Sequence, residues 1–238
     1  MNFVPPSEPE SETSAILREI SLDSFPVWPS EAYRRWHWTK RVFDVSISVV
    51  GLVLLWPFFI LGAILVKLSS PGPVFFRQER LSMHERPFVL IKFRTMCDQA
   101  EVKTGPTWVQ ENDNRITPLG HFLRKTHIDE LPQLWNILMG DMSLIGPRPE
   151  RPVFVKQFRD DKIAAYTCRH FFRPGITGYA QMENPNPTID QIQDKTDDDL
   201  WYVTNWTPWV DCCLLSRTAT YFFKSLFRQM GLASAKHD

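Results

Sequence analysis

Residues 126–150 concentrate the reactive groups of this chain. They run Thr-His-Ile-Asp-Glu-Leu-Pro-Gln-Leu-Trp-Asn and, after three apolar residues, Gly-Asp-Met-Ser-Leu-Ile-Gly-Pro-Arg-Pro-Glu. Two adjacent carboxylates, Asp129 and Glu130, precede Pro132, a residue suited to the first position of a helix. Pro132 also biases Leu131 away from helical geometry, which predicts a helix starting at Pro132 with both acids in the turn before it. The unpaired N–H groups of a helix start suit a phosphate. An aspartate placed there can attack phosphorus or hold a divalent cation. Two neighbouring acids permit both, one attacking while the other holds Mg²⁺ on the phosphate oxygens. The plain alternative is that both acids only complement the helix dipole.

Three further stretches carry cations. Arg148 lies between Pro147 and Pro149. A guanidinium restricted in this way can grip a phosphate through two hydrogen bonds, whereas the simpler reading is a solvated arginine in a turn. Arg173-Pro174-Gly175-Ile176-Thr177-Gly178 repeats the pattern of arginine, rigid proline and permissive glycine. In Lys92-Phe93-Arg94-Thr95-Met96, strand alternation puts Lys92 and Arg94 on one face, with Ile91 and Phe93 on the other. That alternation is also ordinary for a half-exposed strand.

The elements that carry these groups can be read coarsely. Residues 73–80 and 87–96, rich in Val, Phe and Ile, predict a β-hairpin with a short polar loop. A short helix is expected over 117–125, capped by Thr117 with Pro118 at its first position, and another over 132–139, ending at Gly140. Residues 150–170 read as helical, 183–198 as a polar loop with Pro185 and Pro187, and 208–230 as a helix. The last of these, with Leu214, Leu215, Tyr221, Phe222, Phe223, Leu226 and Phe227 edged by Arg217, Lys224 and Arg228, suits either an interfacial or a core-packing helix.

The chain divides into a polar leader (1–30), read as poorly ordered, a membrane-directed segment (31–68) and a globular part (69–238). Its 238 residues suffice for one core of ordinary size. Lysine plus arginine and aspartate plus glutamate number 27 each, so net charge gives no argument for a nucleic-acid partner. Four cysteines without CxxC spacing favour a reducing compartment or buried thiols over a zinc site. No signal-peptide h-region opens the chain.

Residues 45–66 form 22 consecutive positions without a charge. As a helix they would be roughly 33 Å long, near the thickness of a bilayer's hydrocarbon core. A basic, Trp-rich stretch precedes them: Arg34, Arg35, Trp36, Trp38, Lys40 and Arg41. A spanning helix is the plain reading. Against it, Pro57 interrupts the middle, and Lys67, Arg77 and Arg80 make the far flank basic too. A helix that bends at Pro57 and returns would keep both basic flanks on the cytoplasmic side, so spanning and re-entrant readings stand level on the residues alone. Asp44 could pair there with Lys40 or Arg41, or simply favour a helix start.

Taken in order, Lys40-Arg-Val-Phe-Asp44, Ser70-Pro-Gly-Pro-Val-Phe-Phe76, Gln78-Glu-Arg80, Lys92-Phe-Arg-Thr-Met96, Asp129-Glu-Leu-Pro-Gln-Leu-Trp-Asn136, Gly140-Asp-Met-Ser-Leu-Ile-Gly-Pro-Arg-Pro149 and Arg173-Pro-Gly-Ile-Thr-Gly178 form a specific set. Over about residues 38–225 the chain resembles the bacterial sugar transferases of the monotopic phosphoglycosyl transferase family. The resemblance implies an α+β fold: a re-entrant helix broken at Pro57, with a small, mainly helical cytoplasmic catalytic domain holding a β-hairpin and interfacial helices. It implies transfer of a sugar-1-phosphate from a UDP-sugar to polyprenyl (undecaprenyl) phosphate at the cytoplasmic face of the bacterial inner membrane. UMP is released, and an exopolysaccharide, capsule or other glycan is begun.

By the same resemblance Asp129 is the nucleophile of a covalent phosphosugar intermediate. Glu130 holds Mg²⁺ with Asp129. Lys92 and Arg148 are expected in the active site, with Asp199 as a further acid in a run, Asp197-Asp198-Asp199, that leaves its alignment open, and the residue patterns above add Arg94 and Arg173 as substrate-binding candidates. Partners are then the UDP-sugar, polyprenyl phosphate and membrane lipid, and a homo-oligomer is allowed. A membrane-anchored scaffold without catalysis is the competing reading, and the intact Asp129, Glu130, Arg148 and Lys92 argue against it. The chain departs from the family in the loop Leu81-Ser82-Met83-His84-Glu85-Arg86, which lacks the glycines common there. His127 stands where serine is common, with a pKa-tuning role or, more simply, a surface or hinge role. With no further apolar span ahead of it, the core reads as a minimal catalytic form.

Overall fold

The first helix starts at its cap. Ser30 Oγ accepts from the Tyr33 N–H at 3.0 Å and donates to the Trp206 carbonyl at 2.7 Å, which ties the helix start to the far end of the chain. From there α1 runs over Glu31–Ser69 in the computed structural model, whose described backbone comprises residues 29–98, 113–161, 163, 165–185 and 191–229. The polar leader of residues 1–28 lies outside the described residues. The basic stretch and the apolar segment therefore belong to one helix of 39 residues, about 58 Å long at 1.5 Å per residue. It is the one helix among the described residues that is long and apolar enough to cross a membrane. Pro57 sits inside it without ending it.

One stripe of α1 is buried: Lys40, Asp44, Ser48, Gly62 and Val66, at the three- and four-residue steps of a helix face. Between them Ile47, Leu52, Leu55 and Phe59 pack on the main core. The opposite face leaves Val50, Val53, Leu54, Trp56, Phe58, Leu61 and Ile64 exposed.

The chain then turns at Gly72, whose φ of +119° excludes most side chains, and enters the hairpin β1 (Phe75–Leu81) and β2 (Pro87–Phe93). The strands pair antiparallel, with Phe76 opposite Lys92 and Leu81 opposite Pro87. The connecting 3₁₀ turn Met83–Glu85 holds His84 and Glu85 at positive φ, where glycine would be the easier residue. Phe88 and Leu90 join the main core, while Phe93, on the other face, meets Val66 and Leu123.

Helix α2 (Pro118–Lys125) is capped by Thr117, whose Oγ1 accepts from the Gly120 N–H at 3.0 Å. A 3₁₀ turn, Ile128–Glu130, leads into α3 (Gln133–Met139). The next elements are β3 (Ser143–Ile145), α4 (Pro152–Asp160), a 3₁₀ segment (Tyr166–Phe171), β4 (Gly175–Thr177), α5 (Tyr179–Glu183), α6 (Ile192–Asn205) and α7 (Pro208–Gln229). β3 and β4 pair in parallel. Their approach needs glycine at both motifs. A Cβ on Gly146 would lie 2.2 Å from the Arg173 carbonyl oxygen, and one on Gly175 2.2 Å from the Gly146 nitrogen. Helices with two small sheets match the expected α+β class.

Several expectations need correction. Leu131 is helical (φ −53°, ψ −37°) despite the following proline. Its N–H closes the 3₁₀ turn on the Ile128 carbonyl, and its own carbonyl accepts from Leu134, so tertiary and local bonds outweigh the pre-proline bias. The stretch 183–198 is not all loop, since α6 begins at Ile192. Its polar character misled because Lys195, Thr196 and Asp199 are buried on its inner face. Residues 150–170 hold two elements rather than one helix. Asp44 pairs with neither Lys40 nor Arg41: it accepts from Ser143 Oγ (2.7 Å) and the Leu144 N–H (3.1 Å), and Lys40 bonds Asp211 at 2.7 Å. Three of the four cysteines are exposed, so burial does not account for them.

Candidate active site

The site is built where β2 runs beside α3. Asn136 on α3 acts as a strand partner for the β2 edge. Its Oδ1 accepts from the Ile91 N–H at 3.1 Å and its Nδ2 donates to the Val89 carbonyl at 2.7 Å. With the backbone pinned on either side of Leu90, the next residue on that face, Lys92, is directed at the turn that precedes α3. Its Nζ lies 2.5 Å from Glu130 Oε1.

That turn is well fixed. His127 adopts the left-handed conformation (φ 55°) and ends the passage from α2. The Glu130 N–H bonds the His127 carbonyl at 3.2 Å. Both carboxylates are buried, Asp129 at 7% and Glu130 at 9% relative exposure. They are not equivalent. Glu130 Oε1 meets Lys92 and also Arg148 Nη2, at 3.6 Å. The Asp129 carboxylate has no ion pair or hydrogen bond among the described residues. Burial would raise Glu130, but Lys92 and Arg148 overcome it and hold its pKa at about 2. Burial, with the repulsion of Glu130 against the attraction of Lys92, raises Asp129 to about 6. The pair thus divides into one carboxylate locked as an anion and one basic carboxylate left free.

Arg148 is delivered by a turn whose carbonyls are bonded one after another. Pro147 O accepts from the Gly175 N–H (2.9 Å), Arg148 O from Arg169 Nη2 (2.9 Å), Pro149 O from Arg80 Nη1 (3.0 Å) and Glu150 O from the Leu81 N–H (3.1 Å). Behind the turn lies a buried charge cluster. Arg169 is 2.7 Å from Asp199, and Lys195 bonds Glu150, whose other oxygen is 3.8 Å from Arg80. Burial would raise Glu150, yet Lys195, Arg169 and Arg80 keep it at about 2. The backbone around Arg148 is therefore rigid, while its side chain remains 43% exposed and able to meet a ligand.

The structure gathers Asp129, Glu130, Lys92 and Arg148, and does not gather the other residues singled out in the sequence. Arg94 lies past the end of β2 and donates to Ser70 O (2.7 Å) and Ser70 Oγ (2.9 Å), holding the exit of α1. Arg173 donates from Nε to the Gly140 carbonyl at 2.9 Å, at the opposite end of α3 from the acids. Arg41 caps the same end through the Ile137 and Leu138 carbonyls, at 2.6 and 3.0 Å. Asp199 stands behind Arg148, paired with Arg169. His127 is at the surface hinge, its ring 5.9 Å from that of Tyr221. Sequence reasoning missed Asn136, Arg169, Arg80, Glu150 and Lys195. For Asn136 and Lys195 the signal was a polar residue on the inward face of a helix, whereas Arg80 on β1 and Glu150 in the turn before α4 carried no such periodicity.

A small cleft opens between these groups, lined by Arg80, Leu90, Lys92, Glu130, Gln133, Arg148, Pro149, Gly175 and Ile176. Its walls are cationic, so it suits an anion. Mg²⁺ usually binds through one or two carboxylates with waters and substrate phosphates rather than a protein cage. No group of three or more His, Cys, Asp or Glu able to hold a metal occurs among the described residues. The adjacent Asp129 and Glu130 fit the substrate-shared mode, with Glu130 Oε2 and both Asp129 oxygens free of the Lys92 and Arg148 contacts.

A family profile described as bacterial sugar transferase matches residues 35–225. An Aeromonas hydrophila protein named UDP-N-acetylgalactosamine-undecaprenyl-phosphate N-acetylgalactosaminephosphotransferase is 42% identical over 203 residues, which are 85% of this chain and 46% of the relative. An Escherichia coli K12 protein named UDP-glucose:undecaprenyl-phosphate glucose-1-phosphate transferase is 41% identical over 177 residues, 72% of this chain and 37% of the relative. A Bacillus subtilis 168 protein named putative undecaprenyl-phosphate N-acetylgalactosaminyl 1-phosphate transferase is 46% identical over 155 residues, 65% of this chain and 86% of the relative. The chain spans less than half the length of the first two and matches most of the third.

Proposed function

The chain belongs to the bacterial sugar transferase family, and on that footing we propose that it moves a sugar-1-phosphate from a UDP-sugar to undecaprenyl phosphate, the first step of a glycan assembly. The observation that carries the mechanism is the division of labour in the acidic pair: Glu130 engaged by two cations, Asp129 buried and unengaged. A buried carboxylate without partners is costly and is kept where chemistry uses it.

An Asp129 oxygen attacks the phosphorus that bears the sugar, and the bond from that phosphorus to the UMP oxygen breaks, so UMP leaves with the electron pair. A phosphate oxygen of the lipid then attacks the same phosphorus. The Asp129–phosphorus bond breaks, and the carboxylate is restored with the polyprenyl-diphosphate sugar as product. Lys92 and Arg148 orient the diphosphate and offset its charge. Asp129 and Glu130 are the residues that would hold Mg²⁺, which when bound neutralises phosphate oxygens.

The lipid acceptor calls for a site at the membrane surface, and although Pro57 does not end α1, its packing favours keeping both ends of the helix on one side. Its contacts with the domain run from Ser30, bonded to Trp206, to Val66, packed on Phe93 and Leu123. A helix crossing the bilayer along its axis would draw that domain into the hydrocarbon, where its polar backbone and buried ions have no place. A shallow seat, with the Val50, Leu54, Phe58 and Leu61 face in lipid and both basic flanks at the cytoplasmic headgroups, avoids this.

The test is UMP release with a panel of UDP-sugars that includes glucose and N-acetylgalactosamine, Mg²⁺ and undecaprenyl phosphate. Asp129→Asn should abolish both release and the covalent adduct seen by intact mass. Undiminished turnover in that variant rules out the assigned nucleophile. Labelling of single cysteines placed before residue 45 and after residue 66 should reach both from the cytoplasmic side, and opposite sides would mean a spanning helix.

A further inference from the structure

The cleft contains one polar group to which the mechanism above gives no task. Gln133, at the start of α3, is 2% exposed, and its side-chain Nε2 is enclosed without an acceptor. It lines the same cleft as Lys92, Glu130 and Arg148. An amide nitrogen offers two donors, and leaving a buried donor unmade is unfavourable. The nearby side chains do not supply the missing acceptor. Lys92, Arg148 and Arg80 are cations with no acceptor, Glu130 Oε1 already meets two of them, and neither Glu130 oxygen bonds the Gln133 Nε2.

We infer that Gln133 is a further substrate-contacting residue, its amide donating a hydrogen bond to an oxygen of a phosphoryl group held between Lys92 and Arg148. An anionic acceptor fits best, because the cleft wall carries three cations, Arg80, Lys92 and Arg148, against the single carboxylate of Glu130. A neutral donor there stabilises the charge that gathers on the phosphoryl oxygens as Asp129 attacks, without competing with Lys92 for Glu130. This inference rests on the transferase reading and assigns the Gln133 amide to the reacting phosphate.

The test compares wild type with Gln133→Met, which keeps length and burial but removes both donors, and with Gln133→Glu, which replaces the donors by a charge. Turnover is followed by UMP release from UDP-glucose and UDP-N-acetylgalactosamine with undecaprenyl phosphate. Thermal midpoints are measured with and without each UDP-sugar. Expected are a fall in kcat of about 100-fold for Gln133→Met, at least as much for Gln133→Glu, and loss of most of the stabilisation by UDP-sugar. The ligand-free midpoint of Gln133→Met should be unchanged or higher, because an unsatisfied donor has been removed. A wild type that turns over while Gln133→Met stays within about threefold of it overturns the Gln133 assignment alone. A lowered ligand-free midpoint in both variants assigns Gln133 to the fold and overturns it as well. A wild type that neither turns over nor is stabilised by UDP-sugar overturns the transferase reading and this inference with it.

Discussion

Lys92 Nζ stands 2.5 Å from Glu130 Oε1, across 38 residues of sequence, in a place set by the bonds between Asn136 and the β2 edge. This contact decides which of two neighbouring acids is occupied. Replacing Lys92 by Met should let the Glu130 pKa rise and loosen the distinction between the pair. UMP release should fall about 100-fold, the scale for losing one charge-stabilising group. Steady-state kinetics of Lys92→Met beside Arg148→Met checks this, and additive losses would mean that the two cations do not act through one carboxylate.

The Arg169–Asp199 pair gives a different signature. Its side chains are 1% and 2% exposed, so Asp199→Ala removes the directly paired carboxylate of a buried guanidinium and leaves only the more distant Glu150. The expected loss of stability is about 3–5 kcal/mol. Replacing both by leucine should cost less than Asp199→Ala. Denaturant titration of the three variants measures this directly, and a direct role of Asp199 on substrate would instead show as a raised KM at unchanged stability.

Acid stability should depend on Glu85. Burial would raise its carboxyl, but His170, 3.3 Å away, and the hydrogen bonds from Arg159 hold it at about 2. The folded value lies below the ordinary value of 4.5, so its contribution is complete above about pH 4.5 and is lost as pH falls toward 2. Glu85→Gln should lower the midpoint at pH 7 by up to about 3 kcal/mol of stability and flatten the decline between pH 5 and 2. Thermal melts across that range test the slope.

Glycine substitutions should separate two kinds of tightness. At Gly146 a Cβ would meet the Arg173 carbonyl oxygen at 2.2 Å and the Gly175 nitrogen at 3.0 Å, both backbone atoms. Gly146→Ala should cost about 2–3 kcal/mol and displace the Arg148 turn, with loss of activity. At Gly51 the nearest atom is Leu134 Cδ1, at 3.0 Å, a side chain that can yield. Gly51→Ala should stay within about 1 kcal/mol of wild type.

Much of this arrangement was legible in the chain. The hairpin, the Thr117 cap and the stop at Gly140 follow local rules, and each is found where those rules put it. The Asp129–Glu130 pair and Arg148 could be seen from residue types and the rigid prolines around them. Other parts depend on long-range pairing that no window of sequence contains. The α6 helix reads as polar loop because its inward residues are the charges Lys195 and Asp199, whose partners Glu150 and Arg169 lie in other elements. The parallel β3–β4 pair is only three residues on each strand and carries little periodicity. Arg173 and Arg94 look like phosphate ligands in sequence, and in the fold Arg173 Nε bonds the Gly140 carbonyl and Arg94 Nη2 the Ser70 carbonyl.

The pairing of Lys40 with Asp211 spans 171 positions, and Asp44 reaches Ser143 and Leu144 about a hundred positions on. The ribosome therefore delivers α1 long before the residues that neutralise it exist. During synthesis a lysine and an aspartate of α1 stay unmatched until those partners emerge. The first turn of α7 supplies the last of these partners, Asp211. Helix α1 and the body it packs on are then a single folding unit, and a version cut free of residues 31–69 would leave Asp211 without Lys40, and Ser143 and Leu144 without the Asp44 carboxylate.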